Sequence, residues 1–334
     1  MRAIKGQPVA IVLALSATVF ALCFSAEAQQ PTKIARIGFL DESTASGMAT
    51  LVEAFRQELR KLGWIEGKNI SIEYRFGEQK SERLPELAAE LVRLKLDLIV
   101  VGTGPSALAV KSATTTIPVV MTNVGDPIAF RLVTSLARPG GNFTGNASLS
   151  PELITKRLEI LKDTVPKLDR VGLLRLPGPS ITTEIQLKEV KPTALALKIK
   201  LQQIETQPDP KGLESAFQTA KQKQFDAIMF QATRQFFAER KRIVEFADKY
   251  RLPTIYSQKE FVDEGGLMSY GADYDDLYRR AAVYVDKILK GAKPADLPVQ
   301  QPTKFELVIN LKAAERIGLT IPQSVLLKAN RVIK

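Results

Sequence analysis

The stretch Leu98-Ile99-Val100-Val101-Gly102-Thr103-Gly104-Pro105-Ser106 decides the fold that we predict from this sequence. Its first four residues are a short, wholly apolar run, which is typical of a parallel strand that is covered on both faces. A glycine-rich loop follows, and Pro105 and Ser106 mark the start of a helix. The stretch therefore predicts a strand, a loop and a helix, the unit from which open parallel sheets are built.

The same unit recurs along the chain in two successive series. The first series runs from a predicted strand at residues 34–40 to one at 142–147 and includes a predicted helix at 128–137. The second runs from about residue 151 to a strand at 254–256 and includes a predicted helix at 233–250. The pattern predicts an α/β protein with two Rossmann-like lobes, each built on a parallel sheet with right-handed crossovers.

The end of the chain does not extend the second series. Residues 265–271 form a glycine-bounded strand pattern, followed by a helical pattern at 273–289 and a connector rich in proline and glycine at 291–302. If this connector crosses between the lobes, the chain passes between them three times and forms a multi-strand hinge. The predicted divisions are residues 33–147 plus 268–300 for the N-terminal lobe, and 148–267 plus 301–334 for the C-terminal lobe.

The N-terminus has the three-part pattern of a secretory signal peptide. Arg2 and Lys5 precede an apolar run at residues 9–24, and Ala26-Glu27-Ala28 supplies small residues two apart. We expect residues 1–28 to be removed after Ala28 and the protein to be periplasmic. The run is shorter than the ~20 apolar residues of a membrane span. Lipid attachment at Cys23 and an uncleaved form stay open as alternatives.

Composition excludes several kinds of chemistry. The sequence has no His and one Cys, so it cannot supply an imidazole base, a Cys-His pair or a His- or Cys-ligated zinc site. The formal net charge is +11, but the basic residues are dispersed among acidic ones, which favours a solvated basic surface over a nucleic-acid interface. The chain also lacks the phosphate-binding glycine motifs. We expect no enzymatic activity, no cofactor, no metal and no nucleic-acid partner.

The loops after the predicted strands are the candidate binding segments, because ligands of open α/β sheets bind at the carboxyl ends of the strands. The loop at residues 102–106 suits a carboxylate at a helix N-terminus, or it is an ordinary capped turn. Asp126 suits a ligand ammonium, or it caps the following helix. Arg175 and Arg234 suit a ligand anion or solvent. Phe261 suits the wall of a cleft or the core.

Four segments of the sequence resemble one known family. They are Ile37-Gly38-Phe39-Leu40, Thr122-Asn123-Val124-Gly125-Asp126-Pro127, Leu136-Ala137-Arg138-Pro139-Gly140-Gly141-Asn142-Phe143-Thr144-Gly145, and the stretch from Gly265-Gly266-Leu267-Met268-Ser269-Tyr270-Gly271 through Asn310. The chain is similar to the ABC-transporter substrate-binding proteins of the tryptophan/tyrosine-binding type. This resemblance implies a type I periplasmic-binding-protein fold, a ligand between the lobes, and delivery to a membrane permease driven by a separate ATPase.

The loops and the resemblance together give the predicted ligand-binding residues. They are Ser43, Thr44, Thr103, Gly104, Ser106, Asn123, Asp126, Arg175, Gln231 and Phe261. We interpret the chain as a monomeric, exported solute-binding protein that captures a small molecule, such as an amino acid or a related carboxylate, for ABC-type import. A sensory subunit of the same fold and an exported α/β enzyme that works without His are the alternatives.

Overall fold

A computed structural model describes residues 34–334, and these residues form two separate β-sheets with helices on both faces. The signal peptide expected at residues 1–28 lies outside the described residues. The predicted α/β architecture with parallel sheets is confirmed. Its two sheets correspond to the two series of strand and helix units in the sequence.

The first sheet has five strands, all parallel, in the order β2-β1-β3-β4-β5. Their bounds are β1 Ala35–Asp41, β2 Ile70–Phe76, β3 Leu98–Val101, β4 Val119–Val124 and β5 Phe143–Ala147. Both faces are buried: Ile99 and Val101 belong to one apolar cluster, and Leu98 and Val100 to another on the opposite face. This two-sided burial is why the β3 sequence is wholly apolar.

The second sheet has seven strands in the order β12-β11-β10-β9-β8-β6-β7. Their bounds are β6 Arg170–Arg175, β7 Lys200–Glu205, β8 Ala227–Phe230, β9 Thr254–Tyr256, β10 Met268–Ala272, β11 Phe305–Asn310 and β12 Arg331–Ile333. The pair β10 and β11 is antiparallel, with Met268 opposite Ile309, and the other pairs are parallel. The short edge strand β12 was not predicted.

Twelve α-helices are found among residues 34–334. They are α1 Ala45–Lys61, α2 Leu84–Arg93, α3 Gly104–Ala113, α4 Ser150–Thr164, α5 Ile181–Ala196, α6 Pro210–Gln222, α7 Arg234–Ala238, α8 Arg240–Tyr250, α9 Glu260–Asp263, α10 Tyr274–Leu289, α11 Leu311–Ile317 and α12 Gln323–Leu326. The single helix expected at 233–250 is divided at Glu239 into α7 and α8.

The helix expected at residues 128–137 is absent, and this prediction is wrong. The segment forms turns and bends instead. Arg131 has a φ of +54°, in the left-handed region, which interrupts a right-handed helix after its first turn. The apolar spacing of Phe130, Leu132 and Val133 comes from their burial in the core beneath the loop.

The chain passes between the two sheets three times, after β5, after β10 and before β11. Helix α10 returns to the first sheet, where Tyr278 and Val285 pack in the same cluster as Ile37 and Phe55. We call the elements around the first sheet the first lobe and those around the second sheet the second lobe. The assignment of residues 268–272 to the N-terminal lobe is wrong, because β10 pairs with β9 and β11. The other lobe limits stay predictions.

Candidate functional site

A cavity of about 360 Å³ lies between the lobes, at the carboxyl ends of strands from both sheets. Its walls include loops that follow β3, β4, β6, β8 and β9, as the fold rule for open α/β sheets requires. Most of its polar side chains are neutral: Ser81, Thr103, Asn123, Ser148, Ser150, Ser180, Thr182, Gln186, Gln231, Thr233, Gln235, Gln258 and Tyr274. Glu42 and Arg234 are the charged residues of the lining among the described residues.

Two of the predicted residues, Thr103 and Gly104, line the cavity at the start of α3. Thr103 caps this helix, with its Oγ1 accepting from the Ser106 N–H at 3.2 Å and donating to the Ser106 hydroxyl at 2.9 Å. Ser106 itself is fully buried and does not reach the cavity. The loop is therefore a capped turn whose helix N-terminus borders the cavity, and its binding of a carboxylate stays a prediction.

The glycines of this loop provide space for two neighbouring side chains. A Cβ atom on Gly102 would lie 1.7 Å from the Asp41 carboxylate oxygen Oδ2. A Cβ atom on Gly104 would lie 2.5 Å from Cζ of the Phe130 ring. Glycine is needed at both positions because a larger residue would displace either the buried Asp41 carboxylate or the Phe130 ring, which lines the cavity.

Asn123 and Gln231 also line the cavity, from the first and second lobes respectively. The Oδ1 atom of Asn123 is buried and has no hydrogen-bond partner in the described chain. Gln231 is satisfied within its own lobe: its Oε1 accepts from the Leu176 N–H at 3.1 Å, and its Nε2 donates to Thr183 Oγ1 at 2.8 Å. Gln231 thus holds two wall segments in place.

The other predicted residues of the first lobe lie away from the cavity and make local contacts. The Ser43 N–H donates to Asp41 Oδ1 at 2.9 Å, and Thr44 caps α1 by accepting from the Gly47 N–H at 3.0 Å. Asp126 accepts from the N–H groups of residues 128 and 129, each at 3.0 Å. The Thr44 and Asp126 side chains face their own turns because each accepts from a free backbone N–H. The Ser43 hydroxyl is buried and has no hydrogen-bond partner in the described residues.

Arg175 and Phe261, the remaining predicted residues, also lie outside the cavity. Arg175 forms an ion pair with Glu205 of the neighbouring strand and donates to the Leu176 carbonyl at 2.9 Å. Phe261 is 3% exposed and stacks on Tyr256, with ring centroids 4.4 Å apart. Neither residue therefore lies in the cleft wall. Arg175 pairs with Glu205 on the neighbouring strand, and Phe261 packs in the aromatic core.

Arg234 forms an ion pair that connects the two lobes. It begins α7, and its Nη2 donates to Asp41 Oδ2 at 3.1 Å and to the Tyr278 hydroxyl at 2.9 Å, both in the first lobe. Burial is the largest single influence and lowers the pKa of this guanidinium, but Asp41, Tyr278 and Tyr274 together outweigh it and raise the pKa above its ordinary value. The sequence suggested Arg234 as a partner for a ligand anion, whereas in the structure its guanidinium forms an ion pair with Asp41.

A second contact between the lobes lies beside this ion pair. Gln235 Nε2 donates to Glu42 Oε1 at 2.8 Å, and the Ser81 hydroxyl donates to the same oxygen. Burial raises the pKa of Glu42, and the hydrogen bonds from Ser81 and Gln235 partly oppose this rise. Sequence analysis did not identify Asp41, Glu42 or Gln235 as site residues, although each follows a predicted strand.

Four buried polar atoms on cavity residues have no hydrogen-bond partner within the described chain. They are the acceptors Asn123 Oδ1 and Gln186 Oε1, and the donors Arg234 Nε and Gln258 Nε2. Gln186 is 2% exposed and Gln258 is 7% exposed, so neither is freely solvated. Because buried polar groups are nearly always hydrogen-bonded, these four atoms are exceptions among the residues of the cavity wall.

Two further properties follow from the described residues. No helix between residues 34 and 334 is long and apolar enough to cross a membrane. In the same part of the chain, no three His, Cys, Asp or Glu side chains are grouped so that they could hold a metal ion.

Two hinged α/β lobes that enclose a polar cavity define a protein that binds a small solute between its lobes. The family model described as ABC transporter substrate binding protein matches residues 36–333. The chain belongs to this family, which confirms the predicted resemblance. It is a substrate-binding protein, not an enzyme, and it captures a small molecule for an ABC permease. Proteins of this family act outside the cytoplasm.

Individual relatives agree with this assignment. A tyrosine-binding protein of Clostridioides difficile (strain R20291) is 27% identical over 263 residues, which are 77% of this chain and 73% of the relative. A conserved domain protein from Vibrio cholerae has a crystal structure with a TM-score of 0.83 and 29% identity, covering 90% of this chain and 100% of that one. The ABC domain from Streptococcus pneumoniae in complex with L-Trp has a TM-score of 0.81 and 28% identity, covering 90% and 99%.

Proposed function

We propose that this protein captures a zwitterionic α-amino acid with an uncharged side chain and presents it to an ABC permease. The observation that carries this proposal is the set of unpartnered donors and acceptors in a cavity whose two charged residues already have partners. A binding role is established by the family, whereas the class of ligand is inferred from these residues.

The charges of the cavity lining favour a ligand without net charge. Arg234 is paired with Asp41, so its positive charge is balanced inside the protein. Glu42 accepts hydrogen bonds from Gln235 and Ser81, and burial disfavours its ionised form. A ligand with net charge would enter this site without a free counter-charge, at a high desolvation cost.

The unpartnered atoms match the two ends of an amino acid. Arg234 Nε and Gln258 Nε2 are donors, as is the N-terminus of α3, and a carboxylate accepts from such groups. Asn123 Oδ1 and Gln186 Oε1 are acceptors, and an ammonium donates to such groups. A buried group without a partner costs about 1–3 kcal/mol, so a ligand that satisfies all four atoms recovers a large part of that cost.

The relatives support the same class of ligand, since one is named for binding tyrosine and another was solved with L-Trp. The part of the cavity wall formed by Leu176, Pro177 and Pro179 is apolar, which disfavours a ligand with a charged side chain. We further propose that the protein is exported by cleavage after Ala28, acts in the periplasm as a monomer, and serves a permease driven by a separate ATPase.

A calorimetric and thermal-shift screen of the exported protein tests this proposal. We expect L-tyrosine, L-tryptophan and L-leucine to bind and to raise Tm, and L-glutamate and L-lysine to leave Tm unchanged. A ligand present at 100 times its Kd stabilises the folded protein by about 2.7 kcal/mol. Binding of the charged amino acids alone, or no binding by any of them, would contradict the proposed ligand class.

A further inference from the structure

A second recess of about 350 Å³ opens beside the cavity, and we call it the outer groove. Its apolar lining consists of Leu84, Pro85, Pro105, Leu108, Ala109, Phe130 and Ile181. The cavity and the outer groove share wall residues: Ser81, Pro105, Phe130, Ser180 and Thr182. The two spaces are therefore neighbours, and Phe130 is among the residues that line both.

The outer groove differs from the cavity in chemistry. Its lining includes no charged side chain, and its polar members are Ser81, Ser112, Ser180 and Thr182. The first lobe supplies the start of α2 and one face of α3 from Pro105 to Ser112, and the second lobe supplies the first turn of α5. The walls of the groove therefore come from both lobes.

Helix α5 carries an apolar stripe that passes from one space to the other. Ile185 lines the cavity and packs against the apolar cluster of the first lobe. Ile181, one turn earlier on the same helical face, lines the outer groove and is 44% exposed. Phe130 faces both spaces and stays in position because Gly104 beneath it has no side chain.

We propose that the outer groove receives the apolar side chain of the ligand, which extends past Phe130 while its charged ends remain in the cavity. This inference rests on the proposed function and narrows it to α-amino acids with long, apolar side chains. A ligand is favoured over a segment of another protein because the groove shares five lining residues with the binding cavity. The cavity supplies polar partners for the two ends, and the groove removes the side chain from water.

Calorimetry with straight-chain L-α-amino acids of increasing length tests this inference. The probes are alanine, norvaline, norleucine and 2-aminooctanoic acid, which differ only in the number of methylenes. We expect Kd to fall about fourfold for each methylene that enters the groove. Equal Kd values for all four probes, or weaker binding of the longest, would overturn the proposed role of the groove while leaving amino-acid capture intact. Failure of every probe to bind would contradict the proposed function as well.

The variant Ile181→Ser tests whether the gain in affinity with side-chain length arises in the outer groove. Its matched control is Leu195→Ser. Leu195 lies on the same helix, is 81% exposed and lines neither space. We expect Ile181→Ser to weaken the binding of 2-aminooctanoic acid about threefold to tenfold, with alanine binding unchanged, and Leu195→Ser to change neither. The inference is overturned if Ile181→Ser leaves the binding of 2-aminooctanoic acid unchanged. It is also overturned if the variant impairs transport but not binding, which would indicate that the groove contacts the permease.

Discussion

Arg234 donates a hydrogen bond to Asp41 across the interface of the two lobes, with 3.1 Å between Nη2 and Oδ2. The side chains are 4% and 0% exposed, and the Tyr278 hydroxyl shares the same guanidinium nitrogen. Gly102 leaves the space that the Asp41 carboxylate occupies. One buried ion pair therefore joins the end of the first strand to the first helix turn after β8, next to the ligand cavity.

The variant Asp41→Asn should destabilise the protein strongly. It leaves the Arg234 charge buried without its counter-charge, and breaking a buried pair in this way costs about 3–5 kcal/mol. Urea denaturation measures this loss. The control is Asp263→Asn, which removes an ion pair to Arg331 whose side chains are 46% and 47% exposed, and there we expect a loss below about 1 kcal/mol. Equal losses in the two variants would contradict the importance of burial.

Glu42 should make stability depend on pH. Because burial raises its pKa above the usual 4.5, the folded protein binds more protons than the unfolded chain between 4.5 and the raised pKa. The unfolding free energy therefore falls as pH rises through this window. In Glu42→Gln this contribution is absent, so the variant should gain stability relative to the wild type as pH rises. Denaturation curves of both proteins at several pH values give the difference, and a constant difference would disprove the role of Glu42.

Gln186→Met should weaken ligand binding without destabilising the free protein. Methionine has nearly the same size and removes the unpartnered acceptor Oε1. Loss of one hydrogen bond to the ligand ammonium costs about 1.5–3 kcal/mol, so the Kd of L-tyrosine should rise by about tenfold or more. The control Gln203→Met changes an exposed glutamine on β7 and should leave Kd unchanged. An unaltered Kd in Gln186→Met would remove this residue from the binding site.

Gly104→Ala should weaken binding of L-tyrosine by moving Phe130. The added methyl group would lie 2.5 Å from Cζ of the ring, so the ring must shift toward the cavity or the outer groove. The double variant with Phe130→Leu relieves this clash and should bind more tightly than Gly104→Ala alone. Calorimetry of the two single variants and the double variant measures the coupling, and additive effects would show that the two residues act independently.

The order of strands and helices could be predicted from the sequence because the residue pattern of each element reflects its own burial and capping. The apolar run of β3 reflects burial on both faces, and capping residues mark the starts of α3 and α5. The residues Thr103, Asn123 and Gln231 were placed at the cavity edge because the carboxyl ends of parallel strands lie together. The wrong helix at 128–137 shows the limit, since a buried loop has the same apolar composition as a buried helix.

By itself the sequence determined the fold class, the two lobes and the family, because these depend on patterns that repeat within short segments. Only the tertiary structure decided which side chains the cavity offers to a ligand. Arg234 and Asp41 are 193 residues apart in sequence, and no local pattern reports that they pair. The same holds for Gln186, whose helical spacing does not reveal that its face borders the cleft. Hydrogen bonds and ion pairs require contact within a few ångströms, and folding alone brings such distant groups together.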